Sequence, residues 1–234
     1  MVKSKGSPLL EVTEYSNLIF DCDGVLLNSN RVKTEAFREA ALRYGDAAAE
    51  ALVAYHVENG GVSRYKKFIY FLNNIARPSS YEAELSELLK RYSDSVKDGL
   101  IDCEITPGLD RLREATPKTR WLVVSGGDQA ELREIFAARE LDKLFDGGIF
   151  GSPATKDEIL EREMRCGQIV GATLFFGDSV YDYSAALQAG FDFVFVSGWT
   201  ELKTWQTFVQ DKRIFAIDKP LDLLYLDCGS EGKA

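Results

Sequence analysis

The chain has 234 residues, 45% of them apolar and 28% charged, with a formal net charge of −9. That length supports one large domain, or a core with a smaller lobe, without covalent staples; the acid excess argues against nucleic-acid partners but not against one small anion in a locally positive pocket. The single histidine, His56, excludes Ser-His-Asp hydrolysis, Cys-His catalysis and multi-histidine metal sites, so carboxylates must carry any acid–base work.

The first predicted element is the apolar run from Leu18 to Phe20, which delivers Asp21 and Asp23 into a glycine turn at Gly24. It reads as a buried parallel strand whose C-terminal end opens on a site. The two carboxylates, two residues apart in an extended chain, point to one side and crowd a small volume, which demands a cation or raised pKa values. A solvated acidic turn is the plainer alternative. From Arg31 to about Val96 the apolar residues recur at helical spacing, as in Phe37, Ala40, Ala41 and Tyr44, then Phe68, Ile69, Phe71, Leu72 and Ile75. Breaks at Gly45, at Gly60 and Gly61, and at Arg77 to Ser80 divide the stretch into four helices. Beyond Cys103 to Gly108, short apolar strands alternate with amphipathic helices: Trp121 to Val124, Thr173 to Phe176, Phe193 to Val196 and Ile214 to Ile217. Such alternation predicts a parallel sheet.

The strand at Leu18 belongs with the later ones, so the helical stretch is an insertion. The expected architecture is an α/β, Rossmann-like parallel-sheet core over residues 1–29 and 104–234 with an all-helical cap over residues 30–103. Hinges are expected at Leu27 to Asn30 and at Asp102 to Thr106, and the residues after Asp227 are expected to fray. Cys22, Cys103, Cys166 and Cys228 form no CxxC pair, so neither a zinc site nor a disulfide framework is indicated, and a reducing, cytoplasmic setting fits. Val2 to Pro8 lacks a signal-peptide core, and no run approaches the roughly 18 apolar residues of a membrane span, so no membrane partner is expected.

Three later segments carry candidate chemistry. The strand ending at Ser125 runs through Gly126, Gly127 and Asp128 into a helix from Gln129 to Ala138, a possible cradle for a phosphate oxygen. The alternative is a helix cap made by Ser125 or Asp128. Lys156 stands near a helix start capped by Thr155 or Ser152, where a cation is mildly disfavoured, so it either points to solvent or is held for an anion. In FFGDSVYD, Asp178 follows a strand and Asp182 lies on the first helical turn, a spacing that serves one hard cation directly and through water, or simply a helix cap and a first-turn acid.

In order and residue type, DCDGVLLNS, VVSGG, Lys156 and FFGDSVYD resemble the four motifs of the haloacid dehalogenase superfamily, in its phosphatase branch. The helical insertion between the first two motifs is similar to the cap of the phosphoglycolate-phosphatase and β-phosphoglucomutase relatives. The resemblance implies that Asp21 is the nucleophile, forming an aspartyl-phosphate that water hydrolyses. It implies Asp23 as general acid and base, with a pKa lifted by its acidic neighbours. An anionic nucleophile approaching a phosphate at about 4 Å meets roughly 4 kcal/mol of repulsion even at an effective dielectric of 20. Mg2+ would relieve it, bound by the side chains of Asp21 and Asp178 and the carbonyl of Asp23, with waters placed partly by Asp182. Ser125, Lys156 and the amides near Cys22, Gly24 and Gly126 would hold phosphate oxygens.

A true haloacid dehalogenase needs no metal and lacks the second aspartate, so Asp23 favours phosphoryl transfer. Asn28 stands where many capped relatives have Asp, and Pro153 lies three residues before Lys156 rather than beside it, which leaves Lys143 as a weaker candidate for the third motif. The segment GVSR resembles the β-phosphoglucomutase cap loop, so Arg64 is the candidate for a distal substrate contact, against a solvated helix face; Asn59 and Tyr65 are weaker. The expected function is a Mg2+-dependent phosphatase acting on a small phosphorylated metabolite, as a monomer or homodimer. The alternatives are a phosphosugar mutase and a non-catalytic binding or regulatory protein.

Overall fold

The computed structural model describes residues 11–78 and 80–229. The expected fraying after Asp227 concerns in large part residues 230–234, which lie outside the described residues. The first regular strand, β1 (Asn17–Phe20), is buried along its whole length, which explains why it reads as an unbroken apolar run rather than an alternation. β2 (Arg120–Asp128), β3 (Gly148–Ser152), β4 (Thr173–Gly177), β5 (Asp192–Val196) and β6 (Phe215–Ile217) join it in a six-stranded sheet ordered β3-β2-β1-β4-β5-β6, every pairing parallel. The order reverses between β1 and β4, and the crevice beyond the carboxyl ends of strands at such a reversal is where ligands bind in open α/β sheets.

Successive residues of β1 serve opposite faces. Leu18 and Phe20 join an apolar core that runs on into the helical insert, whereas Ile19 packs with Leu122, Val124 and Phe175 on the other face. Phe20 stacks on Phe176 at 4.7 Å and lies 4.8 Å from Trp121, fixing the register of the three central strands from inside.

Between β1 and β2 the chain forms α1 (Asn30–Ala41), α2 (Asp46–Glu58), α3 (Arg64–Phe71) and α4 (Tyr81–Asp102), the four helices expected from periodicity, followed by α5 (Leu109–Ala115) on the way back to the sheet. The breaks fall at Gly45, at Asn59 to Ser63 and around Arg77, as the composition suggests. The two connectors that enter and leave the insert run side by side: Asn28 N donates to Glu104 O at 2.9 Å and Thr106 N to Leu26 O at 2.8 Å. The remaining helices, α6 (Gln129–Ala138), α7 (Lys156–Arg165), α8 (Val180–Ala189) and α9 (Trp205–Lys212), cover the sheet. No helix among the described residues is long and apolar enough to cross a membrane.

One strand was not expected. β3 has the sequence GIFGS, with two apolar residues between glycines, so it carries too short a run to be recognised; it is an edge strand supported by α6.

Close approach of α1 and α4 depends on Gly99, where an added Cβ would stand 2.5 Å from Val32 Cγ1. Val32 is β-branched and cannot turn aside freely. Gly99→Ala is therefore expected to destabilise the insert by about 1–3 kcal/mol, read as faster hydrogen exchange in α1 and α4, and Val32→Ala in the same chain should restore most of the protection.

Candidate active site

The site is built at the sheet's reversal point. Asp21 follows the last residue of β1, Asp178 the last of β4, and Asp182 lies in the first turn of α8. Each of the three carboxylates offers an oxygen within 4.8 Å of the others, and all three residues are buried. Gly24 makes this crowding possible: it holds φ +76°, and a Cβ there would lie 2.1 Å from Asp178 Oδ2. Its N–H is used by the turn, donating to Leu27 O at 2.9 Å, so its contribution is room rather than a free donor.

Lys156 supplies the counter-charge. The solvent-facing alternative is overturned, since the residue is 1% exposed and its ammonium stands 2.9 Å from Asp21 Oδ1 and donates to Asp182 Oδ1. Burial alone would depress its pKa, but Asp182 and Asp21 outweigh that and keep it cationic. Thr155 caps the helix in a capping box with Glu158, which fixes where the lysine leaves α7. Lys143, the other candidate, is on the surface and pairs with Glu140.

One lysine does not neutralise three buried acids. Burial, opposed by Lys156 and reinforced by Asp182 and Asp23, pushes the Asp21 pKa up to about 7. Burial, with Asp21 and Asp182, pushes Asp178 well above the carboxylate range, against the bond that Asn30 Nδ2 gives its Oδ2 at 3.0 Å and the charge of Lys156. Asp182 also accepts from Ser179 Oγ at 2.6 Å. Asp21 Oδ1, although beside Lys156, accepts no well-directed hydrogen bond. Converging carboxylates with only one ammonium group among them suit a small, hard divalent cation.

Asp23 differs from its expected state. Its side chain has partners of its own, accepting from Ser29 Oγ at 2.6 Å and from the Lys33 ammonium at 2.6 Å. Burial raises its pKa, but Lys33 and Ser29 outweigh that, so the carboxyl is held below the usual range rather than lifted above it. Lys33 is therefore a site residue that sequence reasoning missed. On α1 it reads as a surface lysine, and its partner lies across the fold.

The other candidates are placed as follows. Ser125 is buried within β2, three residues before the strand's end and where its register with β3 shifts, and accepts from Gly127 N at 3.0 Å, while Asp128 caps α6. Gly126 faces the insert so closely that a Cβ would meet Gly61 O at 2.2 Å. Cys22 is fully buried, its carbonyl accepting from the amides of Leu26 and Leu27 within the turn. Arg64 is neither solvated nor free: both its terminal nitrogens bind Glu131 of α6, one also binds Ser93 at 2.9 Å, and its guanidinium lies 4.4 Å over the Tyr92 ring. Tyr65 Oη donates to Asp128 Oδ2 at 2.9 Å, and Asn59 lines the cavity with its amide bonded to Tyr55 O. The insert thus closes over the strand tips, leaving a cavity of about 300 Å³ between Asp21, Asp23 and Asp178 on one side and Phe37, His56, Arg64 and Lys67 on the other.

Residues 15–190 match the haloacid dehalogenase-like hydrolase family. The chain belongs to that family. Among solved structures it is similar to a candidate haloacid dehalogenase-like hydrolase from Bacteroides fragilis, at 21% identity over 89% of this chain and 99% of that one, with a TM-score of 0.69. A candidate phosphoglycolate phosphatase from Lactobacillus plantarum gives 22% identity, 91% and 99% coverage and a TM-score of 0.68. A candidate β-phosphoglucomutase from Thermotoga maritima gives 19%, 92% and 99% coverage, and 0.59. At such identities the likeness shows the fold alone. No curated protein sequence is significantly similar to the chain.

The raised pKa of Asp178 has a consequence for stability. A folded-state pKa above the unfolded one means that the charged carboxylate opposes folding, a cost absent at low pH and complete once pH exceeds the folded value. Asp178→Asn is expected to raise the Tm near pH 8 in EDTA, by about 2–4 °C for each 1 kcal/mol relieved. The gain should shrink as pH falls, and MgCl2 should raise the Tm of the parent more than that of the variant; calorimetry with and without the ion checks both.

Proposed function

We propose that this hydrolase is a Mg2+-dependent phosphatase that cleaves a small phosphate monoester through an aspartyl-phosphate on Asp21. The observation that carries the reading is the buried triangle of Asp21, Asp178 and Asp182 at the β1–β4 crevice, with Lys156 2.9 Å from Asp21. Asp21 and Asp178, with the carbonyl of Asp23 and with Asp182 placing waters, are the residues that would hold the ion. When bound, Mg2+ supplies the positive charge that lets a carboxylate approach a phosphate.

In this reading the chain's own groups divide the work. Asp21 attacks phosphorus and forms the phosphoenzyme bond as the alcohol leaves, replacing one hard displacement by two easier ones. Lys156 stays charged throughout and balances the phosphate oxygens, with Ser125 and the backbone at Cys22, Gly24 and Gly126 shaping the rest of the cradle. Asp23 handles the protons. The Lys33 pair favours its carboxylate, the form that takes a proton from the attacking water in the second step. Donation to the leaving oxygen in the first step requires that Asp23 take up a proton as the Lys33 bond is given up. We further propose that residues 30–103 act as a cap on the core of residues 1–29 and 104–234, its closure excluding water.

The test is phosphate release from a panel of phosphorylated metabolites with Mg2+ and with EDTA. Asp21→Asn should abolish Mg2+-dependent release, on the order of a thousandfold or more, while keeping the parent's circular dichroism. Release unchanged in the variant would remove Asp21 from the mechanism, and an isomerised phosphosugar in place of free phosphate would favour a mutase.

The pH profile offers a second check. Asp21 must be ionised to attack, and without a cation its pKa is pushed up to about 7, so activity should be present above that pH and lost as pH falls through it. Mg2+ stabilises the carboxylate. The acid limb of kcat/KM should therefore move to lower pH between limiting and saturating Mg2+.

A further inference from the structure

The cavity has a second end, away from the acids, and its cations are not equivalent. Lys33 is paired with Asp23, and Arg64 with Glu131. Lys67, on the same wall, forms no ion pair with any carboxylate among the described residues, although it is only 2% exposed. Its ammonium donates to His56 Nδ1 at 2.6 Å and lies 3.4 Å from His56 O and 5.5 Å from the Phe37 ring centroid. His56 cannot serve as a counter-ion. Burial, Lys67 and Lys33 hold its pKa well below the usual value, so the ring is neutral, and Nδ1 accepts only if the proton sits on Nε2. Glu201, across the cavity, takes both its hydrogen bonds from Thr34 Oγ1.

A buried cation without an anion is costly, and proteins keep one where something else completes it. Here nothing in the described protein does. Burial, then Lys33, pull the Lys67 pKa down to about 7, a strain that an arriving anion would relieve. The cavity of about 300 Å³ is at the small end for ligand sites. A ligand with its phosphate at the strand tips extends from there toward the helical wall.

We propose that Lys67 binds a second oxyanion, a carboxylate or a phosphate, carried on the leaving-group side of the substrate. The inference rests on the phosphatase reading for which end of the ligand meets Asp21. It assigns to Lys67 the distal contact that the sequence pattern offered to Arg64, which is already bound to Glu131.

The test is calorimetric binding to Asp21→Asn, folded but unable to turn over, in Mg2+, compared with Asp21→Asn/Lys67→Met. Two matched pairs serve as probes: 3-phosphoglycerate against glycerol 3-phosphate for a carboxylate, and glucose 1,6-bisphosphate against glucose 1-phosphate for a phosphate. The member of one pair that carries the second oxyanion should bind at least tenfold more tightly, and Lys67→Met should abolish that preference while leaving the reference ligand's affinity unchanged. The preferred pair identifies the oxyanion. Lys67→Gln repeats the test should the methionine chain unfold. No preference in either pair, no binding of either probe with a second oxyanion, or a preference that survives both substitutions would overturn the proposal. Tight, Lys67-dependent binding with no phosphate release by the parent chain would instead sink the phosphatase reading and leave the subsite standing.

Discussion

Three carboxylates share a buried corner with one ammonium group, and much of the local structure answers that imbalance. Lys156 is drawn inside against the preference of a helix N-terminus for anions, because two acids at contact distance outweigh a macrodipole effect of under about 1 kcal/mol. Asn30 and Ser179 each spend a donor on one of the three. Gly24 gives up a side chain so that Asp178 can come close. What stays uncompensated is a net negative charge, three carboxylates against one ammonium group, a set that could hold a cation.

The sheet's topology brings the acids together. Asp21 and Asp178 are 157 positions apart in sequence, yet each directly follows one of two neighbouring parallel strands, staggered by one residue, so strand pairing sets their tips side by side. Phe20 and Phe176, the residues opposite each other in that register, stack one layer below. The apolar contact that locks the two strands together also keeps the two charged tips side by side. Stability beneath the site and repulsion within it share a cause.

Much of this was legible in the sequence because it is local. An apolar run ending in Asp-x-Asp-Gly, a helix beginning at Gln129, the Thr155 cap and the glycine breaks between cap helices each depend on neighbours along the chain, and each lies where the pattern puts it. What could not be read depends on partners far away. Lys33 and Lys67 look like ordinary charged helix positions, and only the fold sets one against Asp23 and the other against His56. Arg64 was chosen for its motif, but its state is decided by Glu131, 67 positions later. The strand at Gly148 to Ser152 gives no signal because its pairing with β2, not its composition, makes it a strand. The supposition that acidic neighbours lift the Asp23 pKa failed for the same reason: the deciding neighbour is a lysine brought in by the insert.

That lysine ties acid–base chemistry to the insert itself. Lys33 lies one turn into α1, and the start of α1 is fastened to the core by Asn30, which donates to Trp199 O and Asp178, and by Thr34, which donates to Glu201. Farther along, the insert meets the core through Arg64 and Glu131 and through Tyr65 and Asp128. The insert is therefore fastened to the core in both places, by Asn30 and Thr34 beside Lys33 and by the buried Arg64–Glu131 pair on the side that carries Lys67. Lys33 acts on the charge state of Asp23, whereas Lys67 stands on the distal wall of the cavity, each set by contacts of its own. Substrate fit and proton transfer can then be governed by different parts of one helical insert.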